Sequence, residues 1–270
     1  MEKSPKLFLS ILFLLLIISC RDKEEDPLAI LEYGKNYQGS SRSLNALKKV
    51  TELDSTNSEA YRELSIPYLK RGMPHLWKTH MDKSIELNAQ EWQGYRGYNY
   101  LWFYRDYKNA IADFNALDTI TPNFIDAPQG HSVDYWRGIA YLGLKDYKNS
   151  IRYFDKYIEK ETKDTGEDWV EVTAFLYEGI AHYENKNDPL ALLSFDKLLK
   201  YTNNNYADGN YYKALILEKQ GNTAEALNLV NLAITNYKEG YYNYRAYVEA
   251  LRQIYIEDLL LLKKRLTKKQ

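Results

Sequence analysis

Arg137 to Phe154 reads RGIAYLGLKDYKNSIRYF, and Arg96 to Phe114 reads RGYNYLWFYRDYKNAIADF. Both run through Arg-Gly, an aromatic-rich helical stretch, a short break, Asp-Tyr-Lys-Asn, and a second helical stretch that closes on Phe. One extra residue near Phe103 is the only difference in length. A helix–turn–helix used twice is the mark of a repeat architecture: each pair leaves an apolar face that only the next pair covers.

Working outward, each unit is numbered so that its small residue in the first helix is position 8. Gly138, Tyr141, Ser150 and Phe154 then stand at 8, 11, 20 and 24. Gly179, Ala191 and Phe195 repeat the 8, 20, 24 spacing, and so do Ala214, Ala226 and Val230, with Gly221-Asn222 as the turn between. Upstream, Tyr61, Leu64, Ser65, Tyr68, Ser84 and Ala89 fall at 4, 7, 8, 11, 27 and 32, and Leu53 to Leu87 spans one period of 34. Small residues at 8 and 20 let two antiparallel helices approach closely, while large ones at 11 and 24 fill the flanks. An aromatic ring buries roughly 150–250 Å², which at about 25 cal/mol per Å² is roughly 4–6 kcal/mol before entropy.

This spacing resembles the tetratricopeptide repeat, with its 34-residue period and W-x2-L-G-x2-Y…A-x3-F…P pattern. The resemblance implies an all-α fold, a right-handed superhelical solenoid of helix hairpins. Residues 28–240 would form about five to six hairpins, and residues 241–270 a C-terminal capping helix with a basic tail. Departures are local. Pro67 inside a first helix predicts a kink or shortening, Lys213 takes a usually apolar position 7 and predicts a shifted register, and Met81 and Val230 replace Phe at position 24.

The 270 residues carry a formal net charge of −1, which argues against a nucleic-acid partner, and 26 tyrosines. Residues 1–19 read as a cleaved signal peptide: Lys3 and Lys6 precede a 12-residue apolar run, Leu7 to Ile18, too short for the roughly 20 residues of a membrane span. Ile17-Ile18-Ser19-Cys20 resembles the bacterial lipobox, which implies lipidation at Cys20, the single cysteine of the chain. Several acyl chains, at about 0.8 kcal/mol per buried CH₂, would anchor the protein firmly. Residues 20–27 are a charged tether. A lysine followed by acidic residues after that cysteine resembles the surface-export signal of Bacteroidetes lipoproteins. The expected address is therefore the bacterial outer membrane, with the surface favoured over the periplasmic face.

Along the rest of the chain, Pro27 to Tyr37 and Ser43 to Leu53 predict a degenerate first hairpin. Pro74 is placed to start a second helix, Thr121-Pro122 to end one, and Asp188-Pro189 to cap and open another. Ile125 to Gly130 and Thr165 to Glu171 are insertions between units, where loops protrude and often bind. Asn203-Asn204-Asn205 reads as a turn. Tyr241 to Leu266 predicts one unbroken helix covering the last apolar face, and its basic end (Lys263, Lys264, Arg265, Lys268, Lys269) suits the helix dipole, or else an acidic partner or headgroups.

No catalytic or metal site is expected. His75 and His80 lie about 140° apart round a helix, His182 takes core position 11, and His131 ends a loop. Asp164-Thr165-Gly166 is a lone triplet, whereas the aspartic-protease chemistry it resembles needs two. No phosphate-binding glycine loop, Gly-x-Ser-x-Gly or HExxH occurs, and no cofactor is implied.

Binding remains. Helix positions that line the groove in tetratricopeptide proteins correspond here to Arg62, Ile66, Leu69, Tyr98, Trp102, Tyr135, Ile139, Leu176, Ile180, Tyr183 and Tyr211. The alternative for many of them is burial between helices. The function implied is a non-enzymatic, lipid-anchored scaffold that binds another envelope or secreted protein. A second reading is a carbohydrate-binding surface lipoprotein in which exposed Tyr98, Trp102, Trp136 and Trp169 stack on sugars. Exposed, coplanar rings would favour the second, and buried rings the first.

Overall fold

The computed structural model describes residues 26–268, and over them the chain is all-α, with thirteen α-helices and no strand. The signal peptide, Cys20, most of the tether and Lys269 lie outside the described residues. The chain divides into two compact units at Asn88/Ala89.

In the first unit α1 (Pro27–Asn36) pairs with α2 (Ser41–Leu53), and α3 (Ser58–Lys70) with α4 (Pro74–Leu87). Leu31, Leu47, Val50, Ala60 and Leu64 form a buried cluster across the two hairpins. Gly34 permits the first close approach: a Cβ there would lie 2.9 Å from the Leu47 side chain, and the Ser43 hydroxyl donates to the Gly34 carbonyl at 2.7 Å. Pro67 does not shorten α3, which keeps 13 residues. It sits in the last turn, where only one hydrogen bond is forfeited.

The second unit holds four hairpins: α5 (Ala89–Asn99) with α6 (Tyr107–Ile120), α7 (Val133–Gly143) with α8 (Tyr147–Asp164), α9 (Val172–Glu184) with α10 (Asp188–Tyr201), and α11 (Ala207–Lys219) with α12 (Thr223–Lys238). A last helix, α13 (Ile256–Thr267), packs on α12 through Leu259, Leu262 and Leu266. The 8-to-24 spacing is a physical contact. A Cβ on Gly97, Gly138 or Gly179 would meet the ring of Phe114, Phe154 or Phe195 at 2.8, 2.8 and 2.5 Å. Each ring therefore seats in the gap its glycine leaves. The turns repeat as well. Arg105, Lys145, Lys186 and Gly221 take left-handed φ of 53°, 61°, 62° and 80°. The residue after each, Asp106, Asp146, Asn187 or Asn222, caps the next helix by accepting the N–H three positions on. The cap of α10 is thus Asn187, one residue before the Asp188 expected, with Pro189 second in the helix. The register of α11 holds despite Lys213, whose ammonium leaves the core to pair with Asp196 at 2.5 Å.

The extra residue near Phe103 is taken up as a π-helical turn, Tyr100–Tyr104, with the Asp106 N–H reaching back to the Tyr100 carbonyl at 2.9 Å. One expectation is overturned: Tyr241 to Leu266 is not one helix. Gly240, at φ 88°, ends α12 in a Schellman arrangement, its N–H donating to the Tyr237 carbonyl and that of Tyr241 to the Asn236 carbonyl. Residues 241–255 then run without regular structure, and only Ile256–Thr267 is helical. Tyr241, Tyr242, Asn243 and Tyr244 all rank low in helix propensity, so nothing restarts the helix after the glycine.

Candidate functional site

The irregular segment 241–255 is laid across the first helices of all four hairpins in the second unit. At its start the Ala207 N–H of α11 donates to the Tyr241 carbonyl at 2.8 Å. The Asn243 N–H donates to the Asp208 carboxylate and its amide to the Tyr177 hydroxyl of α9, both at 2.9 Å. Arg245 donates to the Tyr98 hydroxyl of α5. Arg105 donates to the Glu249 carbonyl. Arg252 closes the run with a bidentate pair to Glu184 of α9, at 2.6 and 2.9 Å. Side chains, rather than a backbone ladder, hold the segment down.

Arg245 is its central anchor. The guanidinium carbon lies 4.0 Å from the ring centre of Trp102, 5.5 Å from Tyr98 and 5.9 Å from Trp136. The rings stand nearly edge to face, Trp102 on Trp136 at 86° and Tyr98 on Trp136 at 75°, so they wall the cation on several sides. A cation over aromatic faces gains about 0.5–2 kcal/mol, more as it is desolvated. The π turn delivers Trp102 to this cage, and the first inter-unit insertion fixes Trp136, whose indole N–H donates to the Pro128 carbonyl at 2.8 Å.

The polar complement is incomplete. Arg245 Nε, Trp102 Nε1, both amide atoms of Asn99 and one Asp208 oxygen are buried without a hydrogen-bond partner in the protein. Burial pushes Asp208 up to about 7, the Asn243 N–H opposing the shift, and raises Tyr177 to about 12. Burial also lowers His131, whose ring lies beside Tyr135 and Trp136. Elsewhere in the unit an open cleft of about 740 Å³ is bordered by Asp155, Glu167, Glu178 and Lys197. There Glu178 is pushed up to about 7, chiefly by burial and further by Asp155, although it accepts from the Ser194 hydroxyl at 2.7 Å. Among the described residues no group of three His, Cys, Asp or Glu side chains is placed to hold a metal ion.

Of the groove residues expected from the sequence, Tyr98, Trp102 and Tyr135 come together around segment 241–255. Ile139, Leu176 and Ile180 are completely buried. Tyr183 is half-buried under the Lys219 ammonium, 3.8 Å from its ring centre, and Tyr211 is half-buried edge-on to Tyr212. In the first unit Ile66 and Leu69 are buried and Arg62 pairs with Glu63 at 2.8 Å. Sequence reasoning missed Asn243, Arg245 and Arg252, because Val248, Leu251 and Tyr255 mimic a helical period; Gly240 was the legible warning. It also missed the role of Arg137. That side chain is 1% exposed and binds Asp134, Asp118, Asn115 and the Phe114 carbonyl at 2.8, 2.7, 3.0 and 2.6 Å, tying α7 to α6.

With the geometry in hand, comparison places the fold. The tetratricopeptide-repeat family model matches residues 135–159, the α7–α8 hairpin. No curated protein matches the sequence. Among solved structures, the chain is similar to PilW, a widely conserved type IV pilus biogenesis factor, at 12% identity and TM-score 0.62, covering 87% of this chain and 98% of PilW. It is similar to a tetratricopeptide repeat protein from Parabacteroides merdae at 14% identity and TM-score 0.55, over 93% and 88% of the two chains. It is similar to YrrB, a tetratricopeptide protein with an unusual peptide-binding site, at 17% identity and TM-score 0.52, over 73% and 94%. Hairpin spacing, glycine–phenylalanine packing and the matched segment give the chain the tetratricopeptide-repeat fold.

Proposed function

We propose that the protein is a non-enzymatic scaffold of the bacterial cell envelope, anchored to the outer membrane through lipid on Cys20, which binds a segment of another envelope or secreted protein. The observation that carries the binding half is the first-helix face of the second unit, where an irregular segment is already held by side-chain anchors. A face that grips one irregular segment has the chemistry to grip another. The likeness to PilW, described as a pilus biogenesis factor, supports an envelope setting. Among the described residues no helix is long and apolar enough to cross a membrane. The sugar-stacking reading loses its support: Trp102 and Trp136 are each 1% exposed and Tyr98 is half-buried, so of the four rings only Trp169 is open, at 75%.

Two experiments test the proposal. Metabolic labelling with a fatty-acid analogue should tag the wild type and not Cys20→Ser; equal labelling removes the anchor. Photo-crosslinkers at Tyr183 and Tyr211 should capture one common envelope protein in the native host, while a crosslinker at exposed Lys108 should not. Capture that is the same from all three positions would defeat the groove assignment.

A further inference from the structure

We propose that the first-helix face of the second unit recognises an irregular, arginine-bearing peptide segment, and that residues 241–255 occupy it as an intramolecular surrogate which a partner's segment displaces. The inference rests on the scaffold reading and names the chemistry of its ligand. Three anchors define that chemistry: an asparagine whose backbone N–H meets Asp208 and whose side-chain amide meets Tyr177, a guanidinium two residues on in the Tyr98–Trp102–Trp136 cage, and a second guanidinium seven residues further on Glu184. The Glu184 carboxylate and a π-rich cage select cations, and the flat cage and bidentate carboxylate select arginine over lysine.

Over residues 241–249 the segment is built as a replaceable occupant, whereas Ala250, Leu251 and Ile254 pack into the core. Its backbone makes no ladder with the helices beneath it, and Tyr247 and Arg252 sit at left-handed φ of 70° and 57°, which costs a non-glycine residue free energy. Tyr241, Tyr244 and Tyr247 stand 50%, 64% and 83% exposed, so much of its bulk faces outward. Beneath it, one oxygen of the buried Asp208 has no hydrogen-bond partner in the protein. A ligand that supplied that hydrogen bond would exceed the surrogate on the same site. One end is fixed by α12 and the other by the buried Ala250, Leu251 and Ile254 ahead of α13, so residues 241–249 can loop out without either helix leaving.

The test is a binding measurement on the full-length protein in detergent with a fluorescein-labelled peptide of the sequence 241–255. The variant Arg245→Ala/Arg252→Ala, whose own segment is released, should bind the peptide roughly ten-fold or more tighter than wild type, since a site open only part of the time loses affinity by that fraction. A peptide with alanine at both arginines should bind neither protein, and one with lysine at both should bind more weakly than the parent. Equal binding by wild type and variant, or no binding by a variant that melts like wild type, overturns the proposal. If the variant does not fold, hydrogen exchange on the wild type decides: excess peptide should speed exchange of residues 244–249 while α9 stays protected, and unchanged exchange there overturns it. A common crosslinked partner that the peptide fails to displace leaves the scaffold standing and removes the surrogate. Peptide binding without any crosslinked partner does the reverse.

Discussion

Arg137 and Arg245 are both sequestered arginines in the second unit, and their surroundings differ in kind. Arg137 lies in the seam between α6 and α7, where two carboxylates, an amide oxygen and a backbone carbonyl receive its protons. Arg245 lies on the first-helix face, where three aromatic rings and one hydroxyl hold it and Nε finds nothing. A guanidinium with saturated geometry is a structural clamp, since removing it strands buried acceptors. One gripped chiefly by ring faces is held in the manner of a ligand, where the site survives departure of the cation. The comparison separates the residues that make the stack from those that make the site.

The largest expected effect breaks the clamp. Arg137→Ala leaves buried Asp134 with only the exposed Lys156 ammonium, 2.7 Å away, strands the Phe114 carbonyl, and should cost about 3 kcal/mol in urea unfolding. Arg245→Ala should cost about 1–2 kcal/mol, the worth of a partly desolvated cation–π contact. Similar losses at both positions would erase the distinction.

A second prediction uses pH. The folded state raises Asp208 from 3.8 to about 7, so between those values the native protein holds a proton that the unfolded chain has released. Stability from this group is fully present below pH 4, is lost as pH rises toward 7, and levels off above it. Glu178, raised from 4.5 to about 7, acts in the same sense. Between pH 5 and 8 Asp208→Asn should remove about 2 kcal/mol of the wild-type decline. Glu178→Gln should remove a similar share, away from the segment, and only Asp208→Asn should also alter exchange of residues 241–249.

The smallest effect lies at a turn remote from both arginines. Lys145 takes a left-handed conformation and is exposed, so Lys145→Gly should stabilise by about 0.5–1 kcal/mol with no change at segment 241–255. A loss of stability in thermal melts would mean that the lysine stem contributes more than its backbone strain costs.

How much of this was legible depended on periodicity. Gly138 and Phe154 announce their contact in the sequence, because helix pairing depends on spacing and size alone. The π turn was visible as one surplus residue, although its form was not. The Arg-Gly motif was legible as a repeat but not as a clamp, because the partners of Arg137 sit 19 to 23 residues upstream in a different unit of the repeat, at Asp118, Asn115 and Phe114. Segment 241–255 was misread because a short apolar period counts the same whether it winds as a helix or lies in register on a neighbouring face. Tertiary anchors decided that case, and these carry no local signature.

The most direct test of the central claim is native-state hydrogen exchange on wild type, Arg137→Ala and Arg245→Ala. In the wild type, residues 241–249 should be protected relative to the free peptide yet open more readily than α7 and α9. Arg245→Ala should release that segment alone, whereas Arg137→Ala should raise exchange across α6, α7 and α8. A segment that exchanges like free peptide in the wild type, or one that opens only together with the helices beneath it, would contradict the account.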